Sequence, residues 1–218
     1  MKANKKCSPF FMRKRGWFIT FEGIDGSGKT TQLKLTAAML RKHHFQVLVL
    51  REPGSTPVAE KTRKILLDKK NQIPPEAELF LYLAARADLV RKVIAPAIDK
   101  GMIILCDRFF DSTTAYQGYG RGLDIDLIRK LNKLAVGRYE PDITFLVDVD
   151  YKTSLKRRKK QTDRLESESR LFFNRVRNGF LQIARREKRR TVVLDGRRGA
   201  GEVFAEVKSC LKTKLHIK

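Results

Sequence analysis

The residues best suited to chemistry stand together near the start of the chain, in Phe21-Glu22-Gly23-Ile24-Asp25-Gly26-Ser27-Gly28-Lys29-Thr30-Thr31-Gln32. Residues 23–30 have the spacing G-x-x-x-x-G-K-T, a P-loop pattern. A loop that wraps a triphosphate must turn its backbone N–H groups inward, with no Cβ in the way. Gly23, Gly26 and Gly28 meet that demand, so triphosphate contacts are expected along Gly23, Ile24, Asp25, Gly26, Ser27, Gly28, Lys29 and Thr30. Lys29 can reach the β- and γ-phosphates, and the Thr30 hydroxyl can sit on Mg²⁺.

Such a loop needs a strand to deliver it and a helix to receive it. Residues 17–21 are aromatic and β-branched, as in a buried strand, and residues 31–40 have the apolar face of a helix. The N-terminus of that helix adds a field favourable to phosphate. Further strands are expected at 46–50, 102–106, 143–147 and 191–194. Helices are expected at 58–67, 76–99, 112–117, 124–136, 152–160, 166–189 and 202–211. Pro74-Pro75 opens the second of these, and Pro96 kinks or ends it. Gly118, Gly120 and Gly122 break the 112–117 helix, and Asp124 caps the next. Apolar strands alternating with helices predict an α/β fold of three layers, the P-loop NTPase arrangement: a five-stranded parallel sheet with helices on both faces. No repeat or low-complexity linker divides it, so residues 16–218 are expected to be one domain, after a disordered basic extension at 1–15.

Ligands in such folds bind outside the carboxyl ends of the strands. Arg51 follows the second strand, and Asp107-Arg108 follow the third. An acid in the position of Asp107 helps hold Mg²⁺ in P-loop proteins, although it also suits a cap. Arg108 beside it could grip a second anion. Arg51, Arg63, Arg86 and Arg108 come from separate loops and helices. Taken singly each reads as a solvated surface residue; fold logic favours Arg51 and Arg108, while periodicity says little for Arg63 and Arg86. Tyr82 lies one helical turn before Arg86, on the same face, where a ring and a guanidinium could hold a nucleobase. Spacing alone favours a core tyrosine. Ser112, Thr113, Tyr116 and Gln117 follow the third strand and lie near the same cleft. The run at 156–164 reads as a solvated face or as a basic lid at about 156–165. Arginines closing over a phosphoryl group would stabilise its charge and expel water.

The chain has 218 residues, 42% hydrophobic and 33% charged, a soluble globular composition. No apolar run approaches the ~20 residues of a membrane helix. The formal net charge is +23, and residues 151–190 alone carry 15 Lys+Arg against 4 Asp+Glu. That concentration favours a local anionic ligand, with non-specific polyanion binding as a side effect. There is no RNA-binding signature or recognition-helix motif for a specific nucleic acid, and no Asn-Lys-x-Asp for guanine. Cys7, Cys106 and Cys210 are too far apart for a zinc or disulfide framework, and Cys106 reads as a core residue. The basic start lacks the apolar core of a signal peptide, so a cytoplasmic location is expected.

Jointly these motifs resemble the bacterial thymidylate kinases, a P-loop nucleoside monophosphate kinase family. The matching pieces are the loop at 21–32, Arg51-Glu52-Pro53-Gly54, Asp107-Arg108-Phe109, 112–122, Pro141-Asp142, Asp163-Arg164-Leu165-Glu166 and Phe172-Phe173. They occur in the family's order over about residues 16–212. The resemblance implies phosphorylation of dTMP to dTDP by ATP with Mg²⁺, in a homodimer. It implies that Lys29 and Thr30 serve ATP and Mg²⁺, and that Asp25 faces the sugar 3′-hydroxyl and the acceptor phosphate. Arg51 and Arg108 would hold the dTMP phosphate, Arg86 the thymine edge, and Tyr82 would stack on the base. Tyr116 would pack under the deoxyribose, and Arg157, Arg158 and Arg164 would belong to the lid. The chain departs from the pattern in Ser55, where Gly is usual, in Tyr82 for Phe, and in its basic extension. Gly26 stands where some members carry an arginine, as in members whose catalytic arginines come from the lid. Two other readings stand beside this one: a kinase for another nucleoside monophosphate, and a basic nucleic-acid-dependent ATPase.

Overall fold

A computed structural model describes residues 15–158 and 163–217. Strand β1 (Trp17–Glu22) is central, and the loop after it enters α1 (Lys29–Lys42). The chain runs outward through β2 (Val47–Arg51), α2 (Pro57–Leu67), α3 (Pro75–Leu89) and α4 (Ala95–Asp99), and returns as β3 (Ile103–Asp107) beside β1. It then crosses by α5 (Phe110–Thr113) and α6 (Ile125–Val136) to β4 (Ile143–Asp148) on the other side of β1. Helices α7 (Tyr151–Arg157) and α8 (Arg170–Arg186) lead to β5 (Thr191–Asp195), and α9 (Ala200–Leu215) closes the fold. The five strands are all parallel in the order β2-β3-β1-β4-β5. This is the expected three-layer sheet.

Period-two side-chain alternation assigns the two faces. Ile19, Phe21, Leu105, Phe145 and Val147 pack with α1 and α9. Phe18, Ile104 and Cys106 face the other way, onto Leu89, Ile94 and Phe109. Registers of Phe21 with Asp107 and of Arg51 with Asp107 bring three strand ends to one level. The chemistry-bearing loops start from that level.

Three helices differ from expectation. The helix through Pro96 does not stop there; it continues to Asp99 with a π-helical stretch at Val90–Ile94 just before. Proline lacks the N–H that would close the regular turn, and the widened turn absorbs the mismatch. Gly118 and Gly120 lie inside a π-helical stretch, Thr114–Gly120, rather than breaking it. A Cβ at Gly118 would come within 2.4 Å of Ile125 Cδ1, and one at Gly120 within 2.7 Å of the Phe172 ring. They are glycines because α6 and α8 pack against them. The expected long helix from 166 begins only at Arg170, where Ser169 accepts from Phe172 N at 3.2 Å as its N-cap. Asp124 caps α6 as expected, accepting from Asp126 N and Leu127 N.

Of the basic extension only Arg15 lies among the described residues, where it pairs with Asp142 at 3.3 Å. The centre of the expected lid, 159–162, lies outside them. Among the described residues no helix is long and apolar enough to cross a membrane.

Candidate active site

Lys29 opens α1 and is nearly buried, and its Nζ donates to Asp25 Oδ1 at 3.2 Å. Ile24 turns into the core against Ala115 and Leu146, leaving only its backbone at the loop. The Ser27 hydroxyl is buried without a hydrogen-bond partner among the described residues. Thr30 Oγ1 donates to Asp107 Oδ2 at 2.6 Å, so the two oxygens expected at Mg²⁺ are neighbours. Gly26 has φ +74°, and a Cβ there would come within 2.6 Å of the Ser154 carbonyl oxygen. No side chain fits, so an arginine at this loop position is excluded by α7. Ser154 Oγ also donates to Asp25 O at 2.6 Å, fastening α7 to the loop.

Arg108 Nη2 donates to Asp25 Oδ1 at 2.8 Å and to the Tyr116 hydroxyl at 3.2 Å, while Nη1 reaches Ser112 Oγ at 3.0 Å. One carboxylate therefore touches both the phosphate-loop lysine and the cation after β3. Burial works against charge on Asp25, but Arg108 and Lys29 override it and hold the carboxyl well below its usual range. Arg108 itself has φ +70°, a strained backbone for a residue with a side chain. Its N–H donates to Phe21 O at 3.0 Å, and the next N–H, of Phe109, donates to Glu22 Oε1 at 2.7 Å. Glu22 Oε2 also takes Ser112 Oγ at 2.6 Å. Burial, then the nearby Asp111, push the Glu22 carboxyl up to about 8.

Deeper in the cleft, Arg86 is fully buried against Glu52, with Nε–Oε2 at 2.9 Å. Its Nη2 also reaches Thr113 Oγ1 at 2.8 Å, and Nη1 donates to Asn132 Oδ1 at 2.8 Å. The second Nη1 hydrogen has no partner among the described residues, and Arg86 lines the cleft. Tyr82 lies across the same space, its hydroxyl pushed up by burial and by Glu78. Gln117 donates to Glu78 Oε1 at 2.7 Å. Arg63 donates to Pro53 O at 3.0 Å and faces the cleft too. Asp25, Arg63, Tyr82, Arg86, Arg108, Ser112, Thr113, Tyr116 and Gln117 thus line one cavity, together with Glu52 and Asp163.

Other expected residues lie elsewhere. Arg51 is 56% exposed and pairs with Glu60 at 2.9 Å, outside the cavity lining. Ser55 takes φ +70° and hydrogen-bonds the Arg51 backbone through its hydroxyl, at 3.0 and 3.1 Å. Arg164 is tied to Glu78 and to Leu66 O at 2.8 Å. Arg158 lies over the Phe173 ring at 4.1 Å and bonds Ser154 Oγ at 2.8 Å. Arg157 donates to Gly196 O at 2.7 Å and borders a depression beside the P-loop with Gln32, Arg198 and Ala200. Sequence reasoning missed Glu22, Glu52, Asn132, Gly196 and Arg198. An acid ending an otherwise apolar β1 was a signal for Glu22, and the strand-end rule applied to β5 would have reached 196–198. Among the described residues no three His, Cys, Asp or Glu side chains cluster to hold a metal.

A parallel sheet with a phosphate loop on its central strand, and a second cation one carboxylate away, defines a P-loop phosphotransferase acting on a small acceptor. A family model described as thymidylate kinase matches residues 21–207. The thymidylate kinase of Geobacter sulfurreducens is 48% identical over 209 residues, covering 92% of this chain and 98% of its own. That of Citrifermentans bemidjiense is 50% identical over 190 residues, covering 83% and 84%. The crystal structure of thymidylate kinase from Ehrlichia chaffeensis superposes with a TM-score of 0.77 at 39% identity, covering 90% of this chain and 98% of that one. The chain belongs to the thymidylate kinase family.

Proposed function

We propose that the protein transfers the γ-phosphoryl group of ATP to the phosphate of dTMP, giving dTDP and ADP. A dTMP phosphate oxygen attacks the γ-phosphorus, and the bond to the β–γ bridging oxygen breaks. The observation that carries this reading is Asp25, which holds Lys29 at 3.2 Å and Arg108 at 2.8 Å on one oxygen. Lys29 belongs to the donor's phosphates and Arg108 to the acceptor's, so transfer takes place between them. Asp25 stays ionised and fixes the spacing of the two cations, which is electrostatic preorganisation.

The acceptor lies in the cleft. The unpartnered Nη1 hydrogen of Arg86 suits a carbonyl on the base edge, and the Tyr82 ring suits stacking. Tyr116, its hydroxyl on Arg108, lies under the deoxyribose and leaves no partner for a 2′-hydroxyl. Ser112, Thr113 and Gln117 complete the wall, and Arg63 closes it. The Thr30 and Asp107 oxygens, a hard donor pair, would hold Mg²⁺, which would supply neutralisation of the phosphate charge. Arg157 and Arg158, at the end of α7 next to Gly26, supply the cation that the loop cannot hold. The protein works as a cytoplasmic homodimer. Helices α2, α3 and α6 lie side by side and expose Ile65, Phe80, Leu127 and Leu134, an apolar surface suited to a second copy. The test is turnover of a panel of nucleoside monophosphates with ATP and Mg²⁺, with and without DNA. dTMP is expected to be the preferred acceptor and DNA to have no effect; preference for another base, or turnover that needs DNA, would overturn the reading.

A further inference from the structure

The segment from Phe110 to Gly120 separates two cavities. Ser112, Thr113, Tyr116 and Gln117 line the acceptor cleft on one side. On the other side Phe110, Asp111, Thr114 and Tyr119 line a second cavity of about 260 Å³, completed by α6 and the C-terminal end of α8. Nothing in the phosphoryl transfer uses it. Its apolar surface comes from Phe110, Tyr119, Ile125, Val136 and Ile183.

The charges at this cavity are unequally matched. Asp111 takes both Nη atoms of Arg190, at 2.6 and 2.8 Å, and is neutralised. Glu140 accepts from Lys133 Nζ at 2.6 Å, and Glu187 faces Arg190 Nε at 3.4 Å. Every acid is thus engaged. The cations are in excess: Arg129 has only Asp126 at 3.5 Å, with both side chains more than half exposed. Arg186 has no hydrogen bond or ion pair among the described residues. A cavity of mixed lining, with aromatic and aliphatic walls and two under-used guanidinium groups, suits a flat hydrophobic body carrying one anionic group. Guanidinium groups favour phosphate or carboxylate for their planar donor geometry.

This cavity also touches the acceptor site through one side chain. Asn132 lines it, and its Oδ1 accepts from Arg86 Nη1 at 2.8 Å. Its Nδ2 reaches Thr114 Oγ1 at 3.3 Å and Phe110 O at 3.4 Å. A ligand that shifts Phe110 or Asn132 therefore shifts the clamp on Arg86. We propose that this cavity is a second small-molecule site, taking an aromatic ligand with one phosphate or carboxylate group, and that its occupancy changes turnover at the acceptor cleft.

The probe is 2-naphthyl phosphate, titrated calorimetrically into the full chain with dTMP and a non-hydrolysable ATP analogue in excess, so that both substrate positions are filled. One site per chain is expected. The surface double variant Arg129→Gln/Arg186→Gln should weaken binding about tenfold or more, the effect of losing charge-assisted hydrogen bonds. Its kcat and KM for dTMP without the probe should equal the parent's. In the parent, at saturating dTMP and ATP, the probe should change kcat about twofold or more, and in the double variant it should not. A larger residue in the wall, Ile183→Trp, should abolish binding; if that variant melts early, the double variant alone decides. No binding heat, or binding that the double variant leaves unchanged, would overturn the site. Binding without any change in kcat at saturating substrates would overturn its coupling to the cleft.

Discussion

Asp25 touches both Lys29 and Arg108, the cations between which the phosphoryl group passes in the function proposed above, and its charge holds their spacing. On the function proposed above, Lys29 is the cation that follows the transferring group. Lys29→Met should lower kcat by about 10²-fold or more, as removal of a preorganised charge does. Far-UV circular dichroism should stay as in the parent, because the loop's path is set by its backbone and glycines. Near-normal kcat would remove the loop from the chemistry. Glu22 acts one layer behind, through Phe109 N and Ser112 Oγ, on the strained backbone of Arg108. Its carboxyl ionises near 4.5 in the unfolded chain and about 8 in the folded one, so between these values the folded chain holds the extra proton. The stability tied to Glu22 is therefore full below the ordinary value, falls as pH rises toward 8, and then levels off. Glu22→Gln should flatten the dependence of unfolding free energy on pH between about pH 5 and 8, by up to about 1.4 kcal/mol per pH unit. Urea unfolding at a series of pH values checks this, and parallel curves for parent and variant would mean that Glu22 is ionised in the fold.

At the scale of elements, α7 and the turn after 163 divide the basic run between two tasks. Arg157 and Arg158 are fastened beside the P-loop, through Gly196 O and Ser154 Oγ. Arg164 is fastened to α2 and α3, through Leu66 O and Glu78. Arg157→Ala or Arg158→Ala should depress kcat about tenfold or more with little change in the KM for dTMP, the mark of a contact made in the transition state. Arg164→Ala should instead lower the melting temperature, since the buried Glu78 loses a charged partner, at a cost of about 1–3 kcal/mol. Full kcat in both α7 variants would take that helix out of the chemistry. The π-helical stretch at Thr114–Gly120 carries Tyr116, which has two roles. Its ring packs edge-on to Phe172 and Phe180, with centroids at 6.0 and 6.2 Å, and its hydroxyl meets Arg108. One residue here both packs in the core and lines the cavity. Tyr116→Ala should cost about 3–5 kcal/mol of stability. It should also narrow the preference for dTMP over its ribose analogue, which steric rejection limits to roughly ten- to two-hundredfold. An unchanged kcat/KM ratio with a large fall in melting temperature would assign Tyr116 to the core alone.

For the whole molecule, the apolar residues left outside are more informative than those inside. Phe80 is 60% exposed and Leu134 81% exposed, on neighbouring helices α3 and α6. The double variant Phe80→Asp/Leu134→Asp should sediment as a monomer where the parent sediments as a dimer; a monomeric parent would remove this surface from consideration. The net charge of +23 has a structural use as well. Arg177 pairs with Asp148 at 2.7 Å, Arg190 with Asp111 at 2.6 Å, and Arg175 donates to Gly120 O at 2.8 Å. These arginines of the basic 151–190 segment are thereby tied into the fold, while Lys152, Lys156, Arg170, Arg185, Arg186, Lys188 and Arg189 stay exposed.

The sequence by itself determined what depends on neighbours in the chain. The glycine spacing of the phosphate loop, the apolar strand before it and the helix after it are local properties, and so is the order of apolar runs that makes a parallel sheet. The Asp124 cap is legible for the same reason. Contacts between distant residues were decided only in the tertiary structure. Arg63, weak by periodicity, faces the cleft, whereas Arg51, at a strand end, turns to Glu60. A strand end fixes where the backbone arrives; the loop beyond it decides where a long side chain points. Gly118 and Gly120 read locally as helix breakers, yet they are closely packed against residues of α6 and α8 that no local pattern includes. Arg86 depends on Glu52 and Asn132, 34 and 46 residues away in the chain. A buried guanidinium is held by whichever partners the fold brings within hydrogen-bonding distance, and these came from a loop and a helix with no spacing in common.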